Sequence, residues 1–526
     1  MTASAQVPKM TSRQLRVLLS LSIFALMVMY VEMMIVPAIP TFVVFFGGTP
    51  ISTVAWILTA YLLVGVIATP LVSSLGDIHG KKRMMVIVLG IYAVAATVAG
   101  FTPEIATFLG LSRPNALYVL IAVRAVQGIG VSILPLAFAV IGEEFPPQRL
   151  GVAQGILAST FAIGAALGFS VGAFITQSFG WQWTYHSIIP VAVAAPFVVG
   201  LVLRESKVRR DVPLDVIGGA LLGGALGAFL VGVSEGPTWG WADPFAVHLG
   251  PLPFGVPVLL GLAIVLFLGF LLWEPRARNP MVDFRRLGER NIALVNTIGI
   301  AATASLFCFL VASQTFYQAP VLSGGFGLAI SEAGLWSLPT VFGMAIASPI
   351  IGRSVQTRGP RPVLIGGGLS TAVGGILIAT VHGQIWQVAL EGIPALVGVM
   401  AAFIAMTNVV VLSSAPQERS IQVGINQTFR NVGATIGPVL AVTILASFAA
   451  SVVVGYAPAA GTAPVPISVM LPTAQAYAYA FAAVAALGAI GAIASSFLRN
   501  YRFLADGTRV GSGTATPSQV QEALES

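Results

Sequence analysis

The chain of 526 residues is 56% hydrophobic and only 9% charged, where a soluble domain carries about 25% charged residues. With 57 glycines spread through long apolar runs, this excludes an ordinary soluble protein and describes a membrane chain, because Gly and Pro are tolerated in membrane helices. The formal net charge of +7 marks no nucleic-acid partner, since membrane proteins gather Lys and Arg on cytoplasmic segments.

A spanning helix needs about 20 mainly apolar residues. In chain order such runs fall at 15–38, 54–75, 84–101, 116–141, 151–175 and 185–203. A central pair follows at 216–234 and 254–273, then six more at 292–316, 333–351, 363–381, 387–413, 421–450 and 476–498. The fold expected is an all-α polytopic membrane protein with 14 transmembrane helices. The first ten residues are polar and the run after them is too long for a signal-peptide core, so no cleavable leader is expected. With both termini inside, all but three of the 26 Lys and Arg lie on cytoplasmic segments. The exceptions are Arg113, outside, and Arg124 and Arg430, within helices. External segments instead carry aromatics, Trp181 and Trp183 or Trp239 and Trp241, as an interfacial belt does. The Ala/Pro/Gly-rich segment 455–466 reads as an external loop, and the end of the chain from Asp506 as disordered.

The sequence repeats itself weakly. Gly155, Gly164 and Gly168 on the fifth span have the spacing of Gly424, Gly433 and Gly437 on the thirteenth, at an offset of 269. Trp56, Pro70 and Gly76 echo Trp336, Pro349 and Gly352. Two pseudo-repeated six-helix halves explain both echoes: 1–203 and 292–498, with a linker 204–291 carrying the extra central pair and a tail at 499–526. Such repeats belong to secondary transporters, whose substrate site lies between the repeats near the midplane.

Few polar residues interrupt the spans. Glu32 in Val31-Glu32-Met33-Met34 carries a charge whose insertion costs about 2.5–3.5 kcal/mol at mid-bilayer. It has risen about 25 Å from the cytoplasmic end of its helix, and Arg124 lies about 12 Å in from the outer end of its own, at 1.5 Å per residue. In a core about 30 Å thick an Arg side chain bridges the difference, so the two face one another as a coupled pair or as a static contact. Gln127 adds a polar group one turn on. Arg430 is a gating contact or a cavity residue, with Asn426 and Gln427 making a polar face before it. Gln314 and Asn408 are further candidates for the substrate cavity. The four histidines show no metal-ligand spacing, and no cofactor is expected.

Three motifs carry a resemblance. The loop Gly76-Asp77-Ile78-His79-Gly80-Lys81-Lys82-Arg83 resembles the signature loop between the second and third helices of the major facilitator superfamily. The resemblance implies that Asp77, with Gly76, Gly80, Lys81 and Arg83, forms a conformational latch. The second-half loop, Gly352-Arg353 through Arg361, keeps cations but has no acid. Arg124-Ala125-Val126-Gln127-Gly128 resembles the family's Arg-x-x-Gln-Gly motif, which implies a part in proton coupling. Gly155, Gly164, Gly168 and Gly172 resemble the fifth-helix antiporter motif as a helix-packing stripe. Phe169 replaces its proline, while Gly433, Gly437 and Pro438 keep the Gly-Pro pair in the second half. Fourteen spans resemble the drug:proton antiporter branch. That branch places an Asp nine residues before the proline of Ala38-Ile39-Pro40; here that position is Val31 and the acid is Glu32.

The resemblance implies a proton-coupled exporter of lipophilic, cationic small molecules or drugs. Its partners would be a small-molecule substrate, protons and the lipid bilayer, and it would be a monomer in the cell (inner) membrane with both termini cytoplasmic. An exporter of a metabolite, siderophore or lipid, or an uptake symporter, fits the same scaffold. No catalytic cluster of His, Asp or Cys points to an enzyme, and no Gly-x-x-x-x-Gly-Lys-Ser/Thr loop points to a nucleotide-driven pump.

Overall fold

A computed structural model describes residues 10–145, 153, 156–157, 160, 163–206, 214–249, 252–278, 280, 290–381, 383–413, 419–457, 465–499, 501–503 and 509–511. Among them, thirteen helices are long and apolar enough to cross a membrane. They match thirteen of the expected spans. The remaining one, expected at 151–175, falls partly outside the described residues, and its described part is the shorter apolar helix Ile163–Phe179.

Two helices depart from straight rods for reasons visible in their sequences. The first span is broken into Ser12–Met33 and Ile35–Phe45. Pro37 has no N–H to offer the Met33 carbonyl, so the regular ladder stops one residue beyond Glu32 and restarts with Pro37 in its first turn, where no N–H is needed. The fourth span runs Arg113–Glu144 but tightens into a 3₁₀ turn at Gly128–Ser132. There Gly128 presses on the Tyr61 carbonyl and Gly130 on the Tyr92 ring, leaving no room for a Cβ at either.

The chain divides into two compact units, residues 1–281 with 328–335, and residues 282–327 with 336–526. In the first, the helix Val216–Trp239 packs on Ile51–His79, with Gly223 against Ile67. The Asp215 carboxylate caps it, accepting from Gly218 N at 2.8 Å and from Trp273 Nε1 at 2.8 Å, which ties it to Val256–Trp273. Only 17% of the most apolar stretch within Val256–Arg276 is buried, against 78% of that within Arg290–Gln318 in the second unit. The former is apolar all round and peripheral, as a lipid-facing helix is; the latter is the central helix of its unit.

Both units use one packing device. A methyl placed on Gly168 would lie 2.7 Å from Met33 Cβ and 2.8 Å from the Tyr30 carbonyl oxygen. One on Gly437 would lie 2.8 Å from Phe307 Cβ and 2.6 Å from the Ala304 carbonyl oxygen. Gly164 meets Leu26 as Gly433 meets Ile300. The facing residues Leu26, Tyr30 and Met33 correspond to Ile300, Ala304 and Phe307 at a constant offset of 274, so the repeat extends to both sides of the contact. Small residues let helix backbones approach where no hydrophobic effect drives them together. Gly155 lies outside the described residues. Gly172 packs on Met34, at the break.

Two expectations about loops are corrected. The segment 455–466 is not simply a loop: Ala449–Ala457 pairs antiparallel with Val465–Pro472, with a register shift between Val453 and Gly455. Residues 458–464 lie outside the described residues. Runs such as Val452-Val453-Val454 are β-branched and favour a strand once they leave the apolar phase. Near the end of the chain Tyr501–Phe503 pairs with Arg509–Gly511, so 509–511, within the stretch expected to be disordered from Asp506, form a strand; 504–508 and 512–526 lie outside the described residues. A third short hairpin joins Val247–Leu249 to Leu252–Phe254.

Candidate functional site

In the first unit the structure gathers three of the residues singled out by sequence. Glu32 is 7% exposed, and Arg124 and Gln127 are fully buried. Arg124 is held from three directions. Its Nε donates to the Ile57 carbonyl oxygen at 3.1 Å, its Nη1 to Gln127 Oε1 at 2.6 Å, and its guanidinium carbon lies 4.2 Å from the centre of the Tyr61 ring. Gln127 is one helical turn from Arg124, the spacing at which side chains on a helix meet. No nitrogen of Arg124 lies within 4.0 Å of a Glu32 oxygen among the described ion pairs, yet Arg124 is the charge acting on Glu32. The arrangement is an acid and a base that feel each other through a low-dielectric interior while the base is anchored elsewhere.

Sequence reasoning missed the tyrosines. Tyr61, Tyr92 and Tyr185 are buried around Arg124; the Tyr92 hydroxyl faces the Gln127 amide, and those of Tyr61 and Tyr185 find no hydrogen-bond partner among the described residues. Arg124 Nη2 is likewise unpartnered among the described residues. A tyrosine in an apolar span breaks no pattern, so only Gly128 and Gly130, which admit Tyr61 and Tyr92, hinted at them.

The predicted latch residues sit at one end of the same unit. Gly80 turns the chain with φ +105°, a conformation that favours glycine. Asp77 pairs with Lys81 at 3.5 Å, and Lys81 also pairs with Glu143. The Glu205 carboxylate accepts from the backbone N–H of Lys82 and of Arg83, each at 3.2 Å, where the start of the helix Lys81–Gly100 favours an anion. Ser206 Oγ donates to Glu143 at 2.9 Å. Glu143 and Glu205 were not expected; both follow a span end, where an acid reads as an ordinary solvated residue.

The second unit separates its candidates. Gln314 Nε2 donates to Ser337 Oγ, and Asn408 Nδ2 turns back onto the Ile404 carbonyl of its own helix at 2.8 Å. Asn426 and Arg430 stay together on the helix Arg419–Ser447. Asn426 Nδ2 donates to Asn296 Oδ1 at 3.0 Å, and the Arg430 guanidinium lies 3.9 Å over the Phe403 ring. Gly299 makes room for them: a methyl there would lie 3.3 Å from Arg430 Cγ and 3.5 Å from Asn426 Nδ2. Asn296, a polar residue inside a span, was a legible signal that was passed over.

Long apolar helices in two repeated units, each knit by the same glycine stripe, with buried charge inside, define a polytopic secondary transporter. The Major Facilitator Superfamily profile matches residues 21–316 and 215–438, and the chain belongs to that family. It is similar to the multidrug transporter protein MdtP of Bacillus subtilis, 26% identical over 404 residues covering 76% of this chain and 69% of that one. The tetracenomycin C resistance and export protein of Streptomyces glaucescens is 25% identical over 410 residues, 76% of this chain and 70% of that one. The fold is that of the xylose transporter XylE from E. coli in a partially occluded inward-open conformation, with TM-score 0.60 at 13% identity, covering 95% of this chain and 100% of that one.

Proposed function

We propose that the protein exports lipophilic small molecules, cationic drugs among them, in exchange for protons by alternating access. Glu32 carries the proton and Arg124 sets when it is held. The supporting observation is the placement of Glu32: a carboxylate buried in the first unit, acted on by Arg124 but not ion-paired with it. Burial favours the protonated acid and a nearby cation favours the carboxylate, so a small change in the separation of the two decides whether Glu32 is charged. When ionised it attracts a cationic substrate; when protonated it does not, so proton and substrate compete for one group. The names of the relatives, multidrug transport and antibiotic export, agree with this direction and substrate range.

On this reading Gln127, Gln314, Asn408, Asn426 and Arg430 line the substrate cavity, and the loop around Asp77 latches one facing state. Alternating access supplies the transport step, and the pair 216–273 belongs to neither repeated half. The protein acts as a monomer in the cell (inner) membrane with both termini in the cytoplasm. The test is Glu32→Gln in proteoliposomes with an imposed pH gradient. The variant is expected to lose proton-driven accumulation of a cationic dye such as ethidium while still binding it; full gradient-driven transport by the variant overturns the assignment.

A further inference from the structure

Arg430 has no counter-ion among the described residues. Among the described residues its guanidinium donates no hydrogen bond and forms no ion pair, and it lies only against the Phe403 ring. The acid within a span of the same unit is Glu391, on the helix that also bears Phe403. Twelve residues separate them, about 18 Å along the axis at 1.5 Å per residue, too far for a pair. The niche is instead lined with donors. Arg430 Nε and Asn296 Nδ2 are both without partners, and Asn296 is joined through Asn426 to the same helix face. Arg430 itself is half-buried, so part of its guanidinium remains open to a ligand. Phe403 covers one face of the guanidinium, leaving its edge, the fork that grips oxyanions, to whatever enters.

We infer that this niche of the second unit receives the oxyanion of a lipophilic acid, a carboxylate or enolate on an apolar ring body, as a substrate class of the exporter. The inference rests on the export reading above and adds an acidic substrate to it. A half-buried cation with no partner among the described residues is costly, and Gly299, by leaving space for the Arg430 stem, keeps it in place. Glu32 in the first unit makes the complementary provision for a cation, so acidic as well as basic molecules fall within the range.

The test compares 9-anthracenecarboxylate, its methyl ester and 9-(aminomethyl)anthracene, three probes on one ring body, in binding to the full-length protein in neutral detergent. Wild type is expected to bind the acid about tenfold or more tightly than the ester, the scale of one charge-assisted hydrogen bond. In Arg430→Gln the ratio of carboxylate to ammonium affinity is expected to fall by a similar factor, with Arg430→Lys between the two. A wild type that does not prefer the acid to its ester overturns the inference, whether or not the variants fold. So does an unchanged ratio in Arg430→Gln, or displacement of the carboxylate by phosphatidylglycerol but not phosphatidylcholine, which would make the anion a lipid headgroup. Gradient-driven transport of the ammonium probe is scored separately: its absence in wild type sinks proton-coupled export while leaving the binding result standing.

Discussion

The two units share their packing and differ in their charge. Gly164 and Gly168 seat the helix Ser12–Met33 as Gly433 and Gly437 seat Arg290–Gln318, atom for atom at matching offsets. Yet the position matching Glu32 on the second helix is Leu306, and the second unit's half-buried cation, Arg430, stands on the glycine-bearing helix. Close packing constrains every turn of a helix contact, so it survives duplication on both copies. A buried charge is costly and is kept where a task requires it, so charge is where the halves diverge. The difference places a buried acid in the first unit and a cation over an aromatic ring in the second.

The comparison can be broken most forcefully at Arg124. Arg124→Ala removes the charge that acts on Glu32 and the donors to Ile57 and Gln127. Gradient-driven transport is expected to fall by about two orders of magnitude, the scale of losing a buried charge contact worth ~3 kcal/mol. Transport near wild type would remove Arg124 from the coupling machinery. Next come the glycines, where the units should behave alike. Gly168→Ala and Gly437→Ala each force a methyl within 3 Å of a facing backbone or Cβ atom, and each is expected to cost about 1–3 kcal/mol, read as a lower melting temperature in detergent. A fall for one and not the other would show that the stripes are not equivalent.

A smaller effect sharpens the role of Tyr61. Tyr61→Phe keeps the ring beneath Arg124 and is expected to transport as wild type does. Tyr61→Leu loses the cation–π contact, worth about 0.5–2 kcal/mol, and should shift the pH dependence of transport by changing how firmly Arg124 is held. Equal behaviour of the two variants would reduce the tyrosine to packing. The smallest change expected is Glu205→Ala, which strips an exposed carboxylate from the start of the helix Lys81–Gly100. It should lower stability by a few tenths of a kcal/mol, measured by thermal unfolding. A loss above about 2 kcal/mol, beyond what a helix-terminus charge supplies, would mean that the acid does more than cap.

What could be read from the sequence follows the same division. Apolar run length located the helices because the bilayer fixes how long they must be, and the glycine spacing located their tightest contacts. Glu32, Arg124 and Gln127 were legible because a polar residue in a span is rare enough to stand out. The break at Met34 was written in Pro37 but hidden by the apolar residues on either side. Tyr61, Tyr92 and Phe403 were illegible, since an aromatic residue is at home in any span and its contacts are set by helices distant in sequence. The pairing of Asn426 with Asn296 depends on two helices meeting at Gly299, which no local pattern states. The hairpin at 449–472 was obscured by composition, because Ala, Pro and Gly suggest a loop unless the β-branched alternation is weighed first.

The break beyond Glu32 has a mechanical consequence. Opposite it, the fifth-span helix is itself irregular, winding into a π turn over Gly168–Gly172. Gly168 grips Met33 just below the break and Gly172 grips Met34 at the break itself. Two imperfect turns therefore lie back to back, each the most pliable point of its own helix. Bending concentrates at such a joint while the rods on either side stay stiff. The acid stands on the lower rod, two residues from the pivot, where a change of angle in the upper rod alters what reaches it while scarcely moving it at all.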